Sequence, residues 1–125
     1  MSSVLKAFNN HLLEFIEDVI RIFPENLDIK TGKTFIEGVK RVNPKKIITY
    51  WRDNILALYE KEILEGDITF FVNKDYRNDI GTEAQTLKVL EDIRVLVRET
   101  TKENKEKAMK YLQNLTKLCK LYFSD

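Results

Sequence analysis

Apolar residues recur at helical spacing along most of the chain, and this periodicity is the strongest constraint on its fold. In the first stretch, from Val4 to Phe23, they occupy positions 4, 5, 8, 12, 13, 15, 16, 19, 20 and 23. An α-helix repeats every 3.6 residues, so these positions form one stripe, which is wider than a surface helix requires. The pattern predicts a long, largely buried first helix, capped by Ser2 or Ser3 and ended by Pro24.

A weaker helical pattern follows in the second segment. Its apolar positions are Phe35, Ile36, Val39 and Val42. Gly32 and Gly38 each lower helix propensity by about 1 kcal/mol relative to alanine. We therefore expect a second helix that is short or irregular at its start.

Asn43 and Pro44 predict the start of a third helix. Asparagine is a favoured N-cap, and proline fits the first helical position, where its missing N–H costs nothing. The apolar face of this helix consists of Ile47, Ile48, Trp51, Ile55, Leu58, Tyr59 and Ile63. Gly66 is the predicted stop, because glycine adopts the left-handed conformation that ends many helices.

Residues 67–72 form an ambiguous segment. Their β-branched and aromatic side chains favour a strand, whereas Asp67 favours a helix start. No second strand is evident in the sequence to pair with it, so we predict a short helical turn that buries Phe70 or Phe71. Residues 73–81 are rich in turn-forming types and are predicted to form a long exposed loop.

Two more helices complete the predicted fold. One is capped by Thr82 and carries Leu87, Val89, Leu90, Ile93, Leu96 and Val97. The last follows the capping-box match Thr100-x-x-Glu103 and carries Met109, Leu112, Leu115, Leu118, Cys119 and Tyr122. We therefore predict an all-α fold, in which residues 1–125 form a single compact domain of about five helices plus a short helical turn near 67–72.

Two residues bear on metal binding and nucleophilic catalysis. His11 and Cys119 are the only histidine and cysteine, and neither has the short-range partner that zinc sites require. Cys119 falls on an apolar helical face, which is typical of a buried, inert thiol. A pairing of the two is geometrically possible if the terminal helices touch. We expect no metal site, no cofactor and no enzymatic activity.

Phosphate binding and acid–base catalysis are also poorly matched. Residues 31–34 have the Gly-Lys-Thr end of a phosphate-binding loop, but Leu27 stands where that loop needs glycine. We interpret this segment as a turn that enters the second helix. Acidic residues mostly fall opposite the apolar stripes, which indicates solvated helix faces rather than a pocket that alters a pKa.

Charge is segregated along the chain, although the formal net charge is only +1. Residues 26–52 hold seven bases and two acids, residues 60–99 six bases and ten acids, and residues 101–124 six bases and two acids. Such segregation can steer association with oppositely charged partners, including copies of the same chain. The candidate basic patch, which would also suit nucleic acid, consists of Lys40, Arg41, Lys45, Lys46 and Arg52.

Aromatic residues occur in adjacent pairs. Neighbours on a helix point in different directions, so one ring of each pair is expected in the core and the other at the surface, where aromatics favour interfaces. The alternative is a broad core that buries both rings. The candidate partner contacts are Tyr50, Trp51, Phe70, Phe71, Tyr76 and Arg77.

Targeting signals are not evident in the sequence. The first ten residues, MSSVLKAFNN, lack the basic region and uninterrupted apolar stretch of a secretory signal. No window approaches the roughly 18 to 20 apolar residues of a spanning helix, and a single cysteine cannot form an internal disulfide. We therefore expect an intracellular protein without a membrane span.

Three segments carry a resemblance to a known group of proteins. They are FNNHLLEFIEDVIRIFP (8–24), DIKTGKTFIEGVKRVNPKKIITYW (28–51) and EGDITFFVNKDY (65–76). They resemble small, mostly uncharacterised helical proteins encoded by large nucleocytoplasmic DNA viruses. The resemblance implies a viral protein made in the host cytoplasm, which serves as a minor capsid or virion component or as an assembly adaptor. It carries over no functional residues.

A helical domain with segregated charge, paired aromatics and no catalytic constellation is typical of an adaptor between larger proteins. We therefore expect a non-enzymatic structural or interaction protein whose partners are other proteins, among them capsid proteins or copies of itself. One alternative is a nucleic-acid-associated regulator that uses the basic segment 30–52. A third is an enzyme whose site is not visible in the sequence.

Overall fold

The computed structural model describes residues 3–67 and 84–124, which are helical and contain no strand. The helices are α1 (Ser3–Ile22), α2 (Leu27–Val42), α3 (Lys46–Trp51), α4 (Ala57–Leu64), α5 (Ala84–Arg98) and α6 (Lys102–Phe123). A π-helical turn (Arg52–Leu56) joins α3 to α4, so these residues form five helical rods. The all-α prediction is confirmed. Residues 68–72 of the predicted helical turn, the loop at 73–81 and the Thr82 cap lie outside the described residues.

α1 packs against α2, α3, α5 and α6, as its wide apolar stripe predicts. α6 runs antiparallel to it, because Tyr111 contacts Asp18 while Leu118, farther along α6, shares a groove with Ala7. The buried residues of α1 are Leu5, Phe8, Asn9, Leu12, Phe15, Ile16 and Val19. The prediction of a long first helix is therefore confirmed, but only seven of its twenty residues are buried, so the helix is not largely buried.

In the described part of the chain, two buried polar side chains, Asn9 and Thr116, interrupt an otherwise apolar core. Asn9 Nδ2 donates a hydrogen bond to the Pro44 carbonyl (3.0 Å), and Thr116 Oγ1 accepts one from Trp51 Nε1 (3.2 Å). Each of these bonds satisfies a group that would be costly to bury alone. They also join α1 to the α2–α3 turn and α3 to α6.

The second helix is longer than predicted. It begins at Leu27, because the Asn26 side chain caps it by accepting a hydrogen bond from the Ile29 N–H (2.9 Å). Gly32 lies inside this helix and is buried against Val89 of α5. The predictions of a short or irregular start, and of a turn at residues 31–34, are wrong. Close packing at Gly32 compensates for the low helix propensity of glycine.

The start of the third helix is also displaced from its predicted position. α3 begins at Lys46 rather than at Pro44. Asn43 instead ends α2, and its side chain accepts a hydrogen bond from the Lys45 N–H (3.3 Å). Asparagine stabilises a turn by this bond as readily as it caps a helix, so Asn43 and Pro44 form the connection between the two helices.

The last helix is capped one residue later than the capping-box match indicates. Thr101 Oγ1 accepts a hydrogen bond from the Asn104 N–H (3.2 Å). Thr100 Oγ1 accepts one from the Asn104 side chain instead (2.9 Å). Adjacent threonines have equal intrinsic suitability as caps, and the observed chain path selects the second.

Gly66 ends α4, as predicted. Its φ of +77° lies in the left-handed region that favours glycine. The Gly66 N–H donates to the Ile63 carbonyl (3.0 Å), and the Asp67 N–H donates to the Glu62 carbonyl (2.9 Å). This pair of bonds satisfies the last carbonyls of the helix in the Schellman pattern.

The π-helical turn corrects the spacing of the core residues of the third rod. Trp51, Ile55, Tyr59 and Ile63 are buried and follow one another every four positions. In an ideal α-helix each step of four residues turns about 40° too far, so the three steps would rotate Ile63 by about 120° from Trp51. A π-helical turn holds an extra residue and removes part of this rotation. All four side chains therefore face the core.

The two helical glycines of α2 generate a prediction. A Cβ atom at Gly38 meets nothing within 4 Å, whereas one at Gly32 lies 3.1 Å from Val89 Cγ2. We expect Gly38→Ala to raise the free energy of unfolding by about 0.5–1 kcal/mol, the gain in helix propensity. In Gly32→Ala the rigid valine resists displacement, so this gain is cancelled or reversed. Urea unfolding followed by circular dichroism measures both values.

The double variant Gly32→Ala/Val89→Ala is the control for the contact with Val89. We expect the double variant to be more stable than the sum of the two single effects on the free energy of unfolding, because alanine at position 89 removes the close contact. Equal stabilisation by Gly32→Ala and Gly38→Ala would contradict the proposed difference in packing.

Candidate functional site

Tyr50 and Trp51, two of the candidate partner contacts, are both buried, with 5% and 2% of their surfaces exposed. The Trp51 ring packs edge-on against Phe8, with 5.8 Å between ring centroids. Of the two alternatives for this pair, the one that holds is a core that buries both rings, because α3 packs against α1, α2 and α6 and so buries more than one face. The other candidate contacts, Phe70, Phe71, Tyr76 and Arg77, lie outside the described residues.

The five residues of the candidate basic patch are divided between different neighbours. Lys40 Nζ is directed towards α1 and donates a hydrogen bond to Asn10 Oδ1 (2.9 Å). Arg52 lies over the Phe123 ring, 4.3 Å from its centroid, and pairs with Asp53 (2.8 Å). The three remaining residues are exposed around the α2–α3 turn: Arg41, Lys45 and Lys46.

An open apolar groove of about 540 Å³ runs along α2 to the start of α3. We name it the α2 groove; it is lined by Thr34, Phe35, Gly38, Val39, Val42, Asn43 and Lys46. Val42 is 85% exposed, and Phe35 and Val39 are half-buried at the edge of the core. Because Gly38 has no side chain, helix backbone forms part of the wall.

The charge around the α2 groove is basic. Among the residues that the structure describes, its lining includes Lys46 and no acid. Arg41 flanks it, because this residue lies three positions from Gly38 and seven from Thr34 on the same helix. Lys45 and Lys46 also line an adjoining polar groove of about 350 Å³, where Asp53 is the one acid among the described lining residues. Glu37 also flanks the groove, because it lies three positions from Thr34 and four from Arg41. The apolar surface is thus bordered by a net excess of positive charge.

Sequence periodicity assigns the apolar residues of this groove to the core. Ile29, Gly32 and Ile36 already occupy the buried face of α2. Phe35 and Val42 lie on a neighbouring face of the helix, which the rest of the described chain leaves partly or wholly open. The signal in the sequence is an apolar pattern wider than one buried face, although it does not tell which part faces solvent.

His11 and Cys119 do not form the pair that was geometrically possible. The Cys119 thiol is fully buried and donates to the Ile48 carbonyl (3.5 Å). Burial raises the pKa of this thiol to about 12, so it stays protonated and is not activated as a nucleophile. His11 instead stacks on Tyr111, with 4.8 Å between ring centroids, and its Nδ1 lies 3.6 Å from Glu14 Oε2.

Asp18 is an acid that does not belong to a solvated face. Tyr111 donates a hydrogen bond to its carboxylate, which also pairs with Arg21. Burial opposes the ionisation of Asp18, but these two partners outweigh burial and hold its pKa below the ordinary value. Burial and the bond to Asp18 raise the pKa of Tyr111 to about 12. At neutral pH the pair therefore joins α1 to α6 as carboxylate and phenol.

Comparison of the chain with protein-family models, curated proteins and solved structures gives no match. In the part of the chain that the structure describes, no helix has an apolar stretch long enough to cross a membrane. In the same part, no three histidine, cysteine, aspartate or glutamate side chains are grouped so that they could hold a metal ion.

The Asp18–Tyr111 pair predicts the pH dependence of stability. The folded pKa of Tyr111 is raised, so its contribution is complete below the unfolded value of about 10 and is lost as pH rises through about 12. The folded pKa of Asp18 is lowered, so its contribution is present above 3.8 and is lost as pH falls below that value. In Tyr111→Phe both losses of stability should be smaller than in the wild type. Urea unfolding at a series of pH values across this range measures them.

Tyr122→Phe is the matched control, because Tyr122 lies on the same helix and outside the pair. This variant should retain the loss of stability that the wild type shows between pH 10 and 12. Parallel curves for the wild type and Tyr111→Phe would show that the pair does not couple folding to pH.

Proposed function

We propose that this chain is a non-enzymatic interaction protein whose α2 groove binds an acidic amphipathic helix of a partner protein. The observation that carries the proposal is the exposure of an apolar surface beside positive charge. Val42 has 85% of its surface in solvent, although it adjoins the half-buried Phe35 and Val39. Apolar surface of this kind, bordered by polar residues, marks interaction sites on soluble proteins.

The shape of the groove favours a helix as its occupant. Residues 35 to 42 span seven steps of 1.5 Å, so the groove presents about two helical turns. Amphipathic helices dock in such grooves through apolar side chains three and four residues apart. The bare backbone at Gly38 leaves room for one of these side chains. A contact of this length belongs to the small, transient class of interfaces.

The charge of the groove favours an acidic partner. Lys46 lines it and Arg41 flanks it, while the described part of its lining contains no acid. Complementary charge accelerates association and discriminates against partners of the wrong sign. The five-residue basic patch expected from the sequence is divided, which weakens the nucleic-acid alternative relative to this one.

We propose an assembly adaptor or minor virion component of a large DNA virus as the setting of this interaction. The resemblance of residues 8–76 to small helical proteins of such viruses supports this setting. Co-sedimentation of the chain with purified particles through a density gradient tests it. Recovery of the chain only in the free-protein fractions would contradict it.

Binding to two labelled model helices tests the groove. Both have leucines three and four positions apart; one carries glutamates and the other lysines on its remaining face. We expect the glutamate helix to bind, with lower affinity in about 500 mM salt than in about 50 mM, and the lysine helix not to bind. Val42→Ser should weaken binding about fivefold, because it removes a part of the roughly 1.5–3 kcal/mol that the burial of a valine side chain contributes. Fluorescence anisotropy measures the dissociation constants.

Leu121→Ser is the matched control, because Leu121 is also exposed but lies near the end of α6. It should leave the affinity for the glutamate helix unchanged. Equal binding of both model helices, or an affinity insensitive to Val42→Ser, would contradict the proposal. Tighter binding of single-stranded DNA, weakened by Lys45→Gln and unaffected by Val42→Ser, would support nucleic acid as the partner instead.

A further inference from the structure

A second concave surface lies at the C-terminal end of α1, between Ile22 and the α5–α6 connection. Its volume is about 120 Å³, and none of its described lining residues belongs to the α2 groove. Its floor is apolar and buried, and is formed by Phe15, Val19, Val97 and Ala108. We name this surface the α1–α6 cleft.

The size of the cleft limits what it can hold. A cavity of about 150 Å³ with apolar walls accommodates benzene, whereas sites for drug-sized ligands are several times larger. Three aromatic side chains, Phe15, Phe23 and Tyr111, line the cleft. Phe15 and Tyr111 are stacked with their ring centroids 4.9 Å apart. The open cleft can enclose part of one six-membered aromatic ring, and such a ring matches the lining, because aromatic rings pack favourably against one another.

The charge at the mouth of the cleft is positive. Of the described residues that line the cleft, Arg21 and Lys107 are the bases and Asp18 is the acid. The Asp18 carboxylate is already engaged by Tyr111 and Arg21. Within the described residues Lys107 has neither an ion pair nor a hydrogen bond through its ammonium group, and it is exposed. Lys107 also acts on the Asp18 carboxylate at longer range and lowers its pKa, so two cations share this one acid. An anionic group at the mouth would therefore meet a net positive charge above an apolar floor.

We propose that the α1–α6 cleft binds a small aromatic carboxylate, with its ring on the apolar floor and its carboxylate at Lys107 and Arg21. The inference is independent of the α2 groove, because the described residues that line the two surfaces are all different. Arginine and lysine bind carboxylates through charge-assisted hydrogen bonds, and arginine can make two at once. A ligand of about ten heavy atoms has limited contact area, so we expect a dissociation constant on the order of 1 mM.

Phenylacetate is the probe, and 2-phenylethanol is the uncharged control with the same ring. Titration of the ¹⁵N-labelled full chain should shift the amide resonances of Val97, Thr100, Lys107 and Ala108 with phenylacetate. 2-Phenylethanol should bind about fivefold more weakly, because it lacks the charge. Lys107→Gln should weaken phenylacetate binding by a similar factor, and Lys110→Gln, on an exposed part of the same helix, should not change it.

Two further variants test the apolar floor. Ala108→Leu fills the cleft and should abolish the shifts. Ile22→Ala trims an exposed wall, so it should preserve the fold while weakening binding about threefold. The absence of shifts at about ten times the expected dissociation constant would overturn the proposal. Equal binding of both probes, or shifts confined to residues of the α2 groove, would also overturn it.

Discussion

The antiparallel contact between α1 and α6 is the constraint on which the rest of the structure depends. It joins segments from opposite ends of the chain, and such long closures carry an entropic cost that grows with the logarithm of their length. The compensation is apolar: Phe8 and Ile16 of α1, and Leu112 and Leu115 of α6, are almost completely buried. Since α1 also packs against α2, α3 and α5, the contact with α6 closes the core around it.

Much of the fold can be predicted from the sequence, because a helix that buries one face has apolar residues at regular spacing. The wide stripe of α1 predicts a central helix, and Gly66 predicts the end of α4 through its left-handed conformation. Caps are harder to place, since several polar residues compete at each boundary. Thr100 and Thr101 illustrate this: both side chains accept hydrogen bonds from Asn104, but only Thr101 binds its backbone N–H. The chain path decides between them.

Features set by tertiary packing were not predictable from one sequence. The four-residue spacing of Trp51, Ile55, Tyr59 and Ile63 is visible as a pattern, but a π-helical turn among them is a response to the neighbouring helices. The burial of Tyr50 beside Trp51 has the same origin. Periodicity assumes one buried face for each helix, whereas α3 lies between several helices and buries adjacent side chains.

The same limitation explains why the candidate sites emerge only from the structure. α2 contains two helical glycines of identical chemistry, of which Gly32 lies against Val89 and Gly38 opens onto the α2 groove. In one case the missing side chain permits two helices to approach, and in the other it leaves a depression at the surface. The residue type therefore specifies neither role. The distinction arises from which face of α2 is covered by α1 and α5, and that depends in turn on the closure of the core by α6.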